Sequence, residues 1–127
     1  MARKRSAILT DGELRLMEVV WRLGRGTVGE VLEALPEPRP SYSTVLTMLR
    51  ILERKGYLAH DGSARAYVYR PLVAREDAAR HAVGHLVQSF FAGSPVALAL
   101  SLVESDKPSD EELQRLRVLI DRYEDTP

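Results

Sequence analysis

The stretch Ser41–Lys55, SYSTVLTMLRILERK, constrains the fold more than any other. At 100° per residue, Val45, Met48, Leu49 and Leu52 share one face, while Ser43, Thr47, Arg50 and Arg54 share the opposite one. The first face belongs to a helix laid on a core. The second carries small hydroxyls toward its N-terminal end and arginines further on. Short hydroxyl side chains let a helix backbone approach a groove closely and can donate to phosphates or base edges. Arginine adds bidentate recognition of guanine or phosphate. Taken alone, such a face also describes a solvated helix surface, so the flanking segments decide.

Upstream, Thr10-Asp11-Gly12-Glu13 is a capping box that starts a first helix, with Leu14, Met17, Val20 and Trp21 at helical spacing. Trp21 reads as a core anchor, and the helix should stop near Gly24. A second capping box, Thr27–Glu30, opens a helix of about two turns with Val28, Val31, Leu32 and Leu35 on one face. Pro36, Pro38 and Pro40 end it and stiffen the turn, because each proline removes a donor and disfavours helix at the residue before it. Ser41 is then the N-cap of the third helix, and Gly56 its left-handed stop. The period next changes to that of strands: Tyr57–His60 and Ala66–Tyr69 flank the turn Asp61-Gly62-Ser63-Ala64-Arg65. Helix, short helix, turn, helix, hairpin is the order of a winged helix-turn-helix. Arg65, at the hairpin tip, can reach a phosphate or the minor groove. Tyr67 and Tyr69 read as packing residues.

From Ala74 onward only helices are expected. Arg75–Phe91 carries Ala78, Ala82, Leu86, Phe90 and Phe91; Ser94-Pro95 opens an almost wholly apolar helix to Glu104 that includes Leu98 and Leu102. A capping box at Ser109–Glu112 begins a last helix with Leu113, Leu116, Ile120 and Tyr123 at a/d spacing. Three such helices can hardly bury this much apolar surface among themselves. Either they fold back on the first domain or they pair with a second copy, and a two-fold dimer is the simpler solution. The expected architecture is mostly α (α+β), with a winged helix-turn-helix over residues 1–73 and a three-helix dimerisation region over 74–127.

The formal net charge is zero, but residues 1–74 carry +4 and residues 75–127 carry −4. A basic half beside an acidic one suggests that one half meets a polyanion. The basic start Met1–Ser6 extends that half and has no apolar signal-peptide core after it. There is no run of about 18 apolar residues, so neither a membrane span nor stable membrane association is expected. With no cysteine there is no disulfide framework and no thiolate metal site, and the cytoplasm is the default compartment. No Gly-rich phosphate loop, nucleophile elbow or Cys/His zinc spacing occurs, so the chain is not read as an enzyme. Asp77, His81 and His85 lie at i, i+4 and i+8, the spacing of a divalent-metal site, but no supporting partner is identifiable. The expectation is no metal and no cofactor.

The segments Leu9–Trp21 (LTDGELRLMEVVW), Thr27–Leu35 (TVGEVLEAL), Ser41–Leu58 (SYSTVLTMLRILERKGYL) and Ala66–Pro71 (AYVYRP) resemble the BlaI/MecI/CopY family of penicillinase repressors. The resemblance extends over the whole chain. Its most specific part is Thr44-Val45-x-Thr47-x-Leu49-x-x-Leu52 with Lys55-Gly56-Tyr57-Leu58 behind it. It implies a bacterial transcriptional repressor, binding a palindromic double-stranded DNA operator as a homodimer with the third helix in the major groove, and controlling β-lactamase, antibiotic-response or related genes. In the β-lactamase branch a signal from a membrane sensor protease leads to cleavage in the dimerisation region; the matching bond here is Ser101–Leu102. The copper-responsive branch uses a cysteine motif that this chain lacks. The family often has a base-facing polar or basic residue at the position of Leu46, which here can meet a thymine methyl instead. The expected DNA contacts are therefore Ser41, Ser43, Thr44, Leu46, Thr47, Arg50, Arg54, Lys55 and Arg65. The expected dimer contacts are Phe90, Leu98, Leu102, Leu113, Leu116, Ile120 and Tyr123. Two rival readings are a winged helix used for protein contacts and a metal- or ligand-responsive regulator acting through His81 and His85.

Overall fold

The computed structural model describes residues 8–63 and 65–124; the basic start Met1–Ser6 lies outside them. Among the described residues, six helices and three short strands follow in the order α1 (Asp11–Leu23), β1 (Gly26–Thr27), α2 (Val28–Ala34), α3 (Tyr42–Arg54), β2 (Leu58–Asp61), β3 (Val68–Pro71), α4 (Arg75–Phe90), α5 (Pro95–Ser105) and α6 (Asp110–Glu124). The chain divides into two compact units at His85/Leu86.

The first unit is a winged helix-turn-helix. Its helices begin where local chemistry satisfies free backbone donors. Thr10 and Glu13 cap each other's backbone N–H at α1, and Thr27 and Glu30 do the same at α2. The core gathers Leu16, Met17 and Val20 from α1, Val28 and Val31 from α2, and Val45, Leu49 and Leu52 from α3. Tyr57, Leu58 and Tyr69 close it from the wing side, each about 1% exposed. Truncating one of these leucines to alanine would cost about 2–5 kcal/mol, since a cavity is left as well as transfer energy lost.

The hairpin is antiparallel, with Leu58 opposite Pro71 and His60 opposite Tyr69. Gly62 turns it at φ +94°; a Cβ there would lie 2.7 Å from the Ala66 carbonyl oxygen, so the turn requires glycine. A third strand joins the sheet, in the order β1-β3-β2, pairing Gly26 with Tyr69 and Thr27 with Val68. The sequence reading contains no such strand, because two residues display no period and Thr27 reads as a helix cap. It is both: the Thr27 side chain caps α2 while its backbone pairs with β3.

The division between the two compact units falls inside α4. Val73 and Ala78 are buried in the core of the first unit, and Trp21 Nε1 donates to the Val73 carbonyl at 2.8 Å. The half-buried indole thus ties α1 to the chain just before α4.

In the second unit, Ser94 caps α5 with Pro95 in its first turn, and Ser109 with Glu112 forms a third capping box at α6. No residue of α5 or α6 is buried. No single helix among the described residues is long and apolar enough to cross a membrane.

Candidate DNA-binding surface

α3 is pinned at both ends. At its start Ser41 Oγ accepts from the Thr44 N–H (3.2 Å), donates to Thr44 Oγ1 (2.9 Å) and lies 3.2 Å from Ser43 Oγ. The hydroxyls of Ser41, Ser43 and Thr44 therefore form one chain over the first turn. Arg39 braces the proline turn before them through a 2.9 Å bond from Nε to the Leu35 carbonyl. At its far end Lys55 Nζ reaches Glu13 Oε1 (2.7 Å) and the Ile8 carbonyl (3.3 Å). Lys55, among the expected DNA contacts, is thus held by α1 and only half-exposed.

Between these ends the two faces separate as the periodicity requires. Val45, Leu49 and Leu52 have no exposed surface. Ser43, Thr47, Arg50 and Arg54 are exposed, as are Ser41 and Thr44. Leu46 is half-buried and packs against the core, which leaves only part of its side chain for a base methyl. Arg65 is exposed in the hairpin turn, and behind it Arg70 Nε donates to Asp61 Oδ2 at 2.9 Å across the wing strands.

A polar cluster lies where α3 meets the wing. His60 Nδ1 is 2.7 Å from Glu53 Oε2, and the His60 ring lies 4.3 Å from that of Tyr67 and 5.8 Å from that of Tyr69. Burial pushes the Tyr69 hydroxyl up in pKa, and the Glu53 carboxylate adds to this. The Arg50 guanidinium, its charged and hydrogen-bonding neighbour, pulls the other way. By sequence Tyr69 reads as a packing residue, and Glu53 and His60 carry no assigned role. The one signal available was Glu53 at i+3 from Arg50, which places both on one flank.

The second unit holds the expected dimer contacts. Phe90, Leu102, Leu116, Ile120 and Tyr123 are exposed, Phe90 at 79% and Tyr123 at 74%; Leu98 and Leu113 are half-buried. Ser101 lies within α5, where its carbonyl accepts from Ser105 Oγ at 2.6 Å; Leu102 is 61% exposed. Asp77, His81 and His85 do not assemble a metal site: no group of three or more His, Asp or Glu among the described residues could hold an ion. Asp77 faces Arg80 at 3.7 Å, and the His81 Nε2 is buried without a hydrogen-bond partner.

The penicillinase repressor family matches this chain over residues 9–122. Over 116 residues the chain is 28% identical to the penicillinase repressor of Bacillus licheniformis, covering 91% of each. It is 20% identical over 115 residues to the methicillin resistance regulatory protein MecI of Staphylococcus aureus (strain N315), covering 90% of this chain and 94% of that one. The solved DNA-binding domain of the repressor BlaI superposes with a TM-score of 0.52 at 33% identity, over 59% of this chain and 93% of that domain.

Proposed function

As this chain belongs to the penicillinase repressor family, and is a DNA-binding transcriptional repressor and not an enzyme, we propose that it represses as a homodimer on a palindromic operator. In this reading α3 enters the major groove. Ser43, Thr47, Arg50 and Arg54 face the bases and phosphates, Ser41 and Thr44 lie along one strand, and Arg65 follows the backbone from the wing. Arg50 reads a base edge. The observation that carries the reading is the face of α3 itself: Ser43 and Thr47 with Arg50 and Arg54, all exposed, on a helix whose other face is sealed in the core.

Dimerisation through α5 and α6, with Phe90 beside them, is supported by how little of their apolar surface is covered. A closed two-fold pair would bring two reading heads onto two half-sites. The names of the relatives, a penicillinase repressor and a methicillin resistance regulator, favour antibiotic-response genes as targets. Induction would then follow a membrane sensor protease signal and cleavage at Ser101–Leu102, with the repressor itself acting in the cytoplasm. Because that bond lies in a hydrogen-bonded helix, cleavage requires local opening of α5.

The test is fluorescence anisotropy of the full chain on random duplex DNA at two salt concentrations. Binding through phosphates gives a steep fall in affinity as salt rises. A flat response, or no binding, would favour a winged helix used for protein contacts.

A further inference from the structure

We propose that Glu53 and His60 are positioning residues for DNA binding: they clamp the wing to α3, so that Arg65 in the hairpin turn is held at a set distance from the reading helix. The inference rests on the phosphate-contacting role proposed for Arg65.

Glu53 lies in the last turn of α3, one residue before the helix ends at Arg54. A carboxylate is disfavoured there, because the carbonyl end of a helix already carries partial negative charge. It is disfavoured again next to a polyanion, and Glu53 shares a helix flank with Arg50, three residues before it. Its partner is His60 of β2. The His60 Nδ1 lies 2.7 Å from one carboxylate oxygen of Glu53 and 2.9 Å from the other. Two acceptors at this range place the proton on Nδ1, which therefore donates. The bond ties the C-terminal turn of α3 to the wing.

The position of the tie along the hairpin gives it leverage. Alternate residues of a strand share a face, and on the face that holds His60 both Leu58 and Tyr69 are 1% exposed. His60 is opposite Tyr69 in the register and is the last residue of this face in β2. Beyond it the chain turns at Gly62 and reaches exposed Arg65. The His60 ring also packs 4.3 Å from that of Tyr67 and 5.8 Å from that of Tyr69, on the returning side of the hairpin. The clamp thus stands between the buried base of the wing and its turn. A two-stranded hairpin has little stability of its own, so the place of its turn relative to α3 depends on such a tie. A turn already held in place loses less entropy when Arg65 meets a phosphate while α3 occupies the groove.

The experiment is fluorescence anisotropy of the full chain on random duplex DNA across a salt series. Arg65→Ala is made in the parent and in the Glu53→Ala, Glu53→Gln and His60→Phe backgrounds, and its effect is compared within each. This comparison cancels any general change in stability or charge. In the parent, Arg65→Ala should lower the salt slope by about one unit and weaken binding about fivefold at low salt. In the Glu53→Ala background it should do less than about half of this. His60→Phe keeps a ring beside Tyr67 and Tyr69 but has no donor, and should uncouple Arg65 in the same way. Glu53→Gln removes the same charge as Glu53→Ala yet keeps an acceptor for the Nδ1 proton, so Arg65→Ala should there retain most of its effect. The clamp is overturned if Arg65→Ala acts equally in the parent, Glu53→Ala and His60→Phe backgrounds, or if Glu53→Gln uncouples Arg65 as fully as Glu53→Ala. If Arg65→Ala changes nothing in the parent, the phosphate-contacting role falls, and the positioning role with it.

Discussion

Lys55, at the end of the reading helix, places its Nζ 2.7 Å from Oε1 of Glu13 in the first turn of α1, across 42 residues of sequence. The same oxygen accepts the Thr10 N–H at 2.8 Å, so a helix cap and an interhelix ion pair share one carboxylate. Glu13 is 5% exposed. Burial alone would raise its pKa, but the hydrogen bonds from Lys55 and Thr10 and the Lys55 charge outweigh it and hold the carboxyl below the usual range. The pair fixes how α3 sits on α1, and therefore how the polar face is presented.

Glu13→Gln keeps an acceptor for Thr10 but loses the charge, and should cost about 1–2 kcal/mol of stability. Lys55→Met should cost more, about 2–3 kcal/mol, because it leaves a buried carboxylate without its cation. Urea midpoints at neutral pH measure both. A change near zero in either variant would mean that the pair does not anchor α3.

The pH dependence follows from the same group. Its pKa is lowered in the folded chain, so its contribution is complete above the unfolded-state value near 4.5 and is lost as pH falls through the folded value. Stability should therefore decline in acid below about that pH, and Glu13→Gln should flatten part of the decline. Only part is expected to go, because Glu30 and Glu112, whose carboxyls are lowered first by backbone hydrogen bonds from Thr27 and Ser109, act in the same direction. Urea titrations at stepwise lower pH follow it; parallel profiles for parent and variant would exclude Glu13.

The exposed arginines of α3 should behave in the opposite way. Arg50→Ala and Arg54→Ala are expected to weaken DNA binding while leaving the unfolding midpoint within about 0.5 kcal/mol of the parent. A base-reading arginine costs about 1–3 kcal/mol and relaxes one position; a phosphate-contacting one weakens all sequences alike. Unchanged affinity in both variants would remove α3 from the interface. For the wing, Arg65→Ala should lower the salt slope of binding by about one unit if it neutralises a phosphate. An unaltered slope would leave the wing clear of the backbone.

The faces of α3 were legible because a 3.6-residue period acting on 13 residues sorts Val45, Leu49 and Leu52 from Ser43, Thr47, Arg50 and Arg54 without help from the rest of the chain. The three capping boxes were legible because they are local, each closed within four residues. What escaped is non-local. Nothing in the neighbourhood of Lys55 points to Glu13, and nothing near Tyr69 points to Arg50. Strand β1 escaped because two residues have no period. Composition changes near Ala74, while burial of Ala78 carries the first core further along α4.

The last prediction concerns the second unit. Phe90 at the end of α4 and Leu102, Leu116, Ile120 and Tyr123 on α5 and α6 are exposed, and no residue of α5 or α6 is buried. At about 25 cal/mol per Å² of apolar area, a pairing that covers several hundred Å² on each partner would be strongly favoured. Joining two reading heads raises the effective concentration at which the second meets its half-site, so operator affinity should depend on the dimer. A chain ending at Ser101 loses Leu102 and all of α6 but keeps every residue of the winged-helix core, which runs from Leu16 to Ala78. It should sediment as a folded monomer and release the operator at concentrations where the full chain stays bound. Proteolysis at Ser101–Leu102 would then suffice for induction without a small ligand. Analytical ultracentrifugation and operator titration of the shortened chain decide this. A shortened chain that still dimerises and binds like the full one would remove both the α6 dimer face and the proteolytic off-switch.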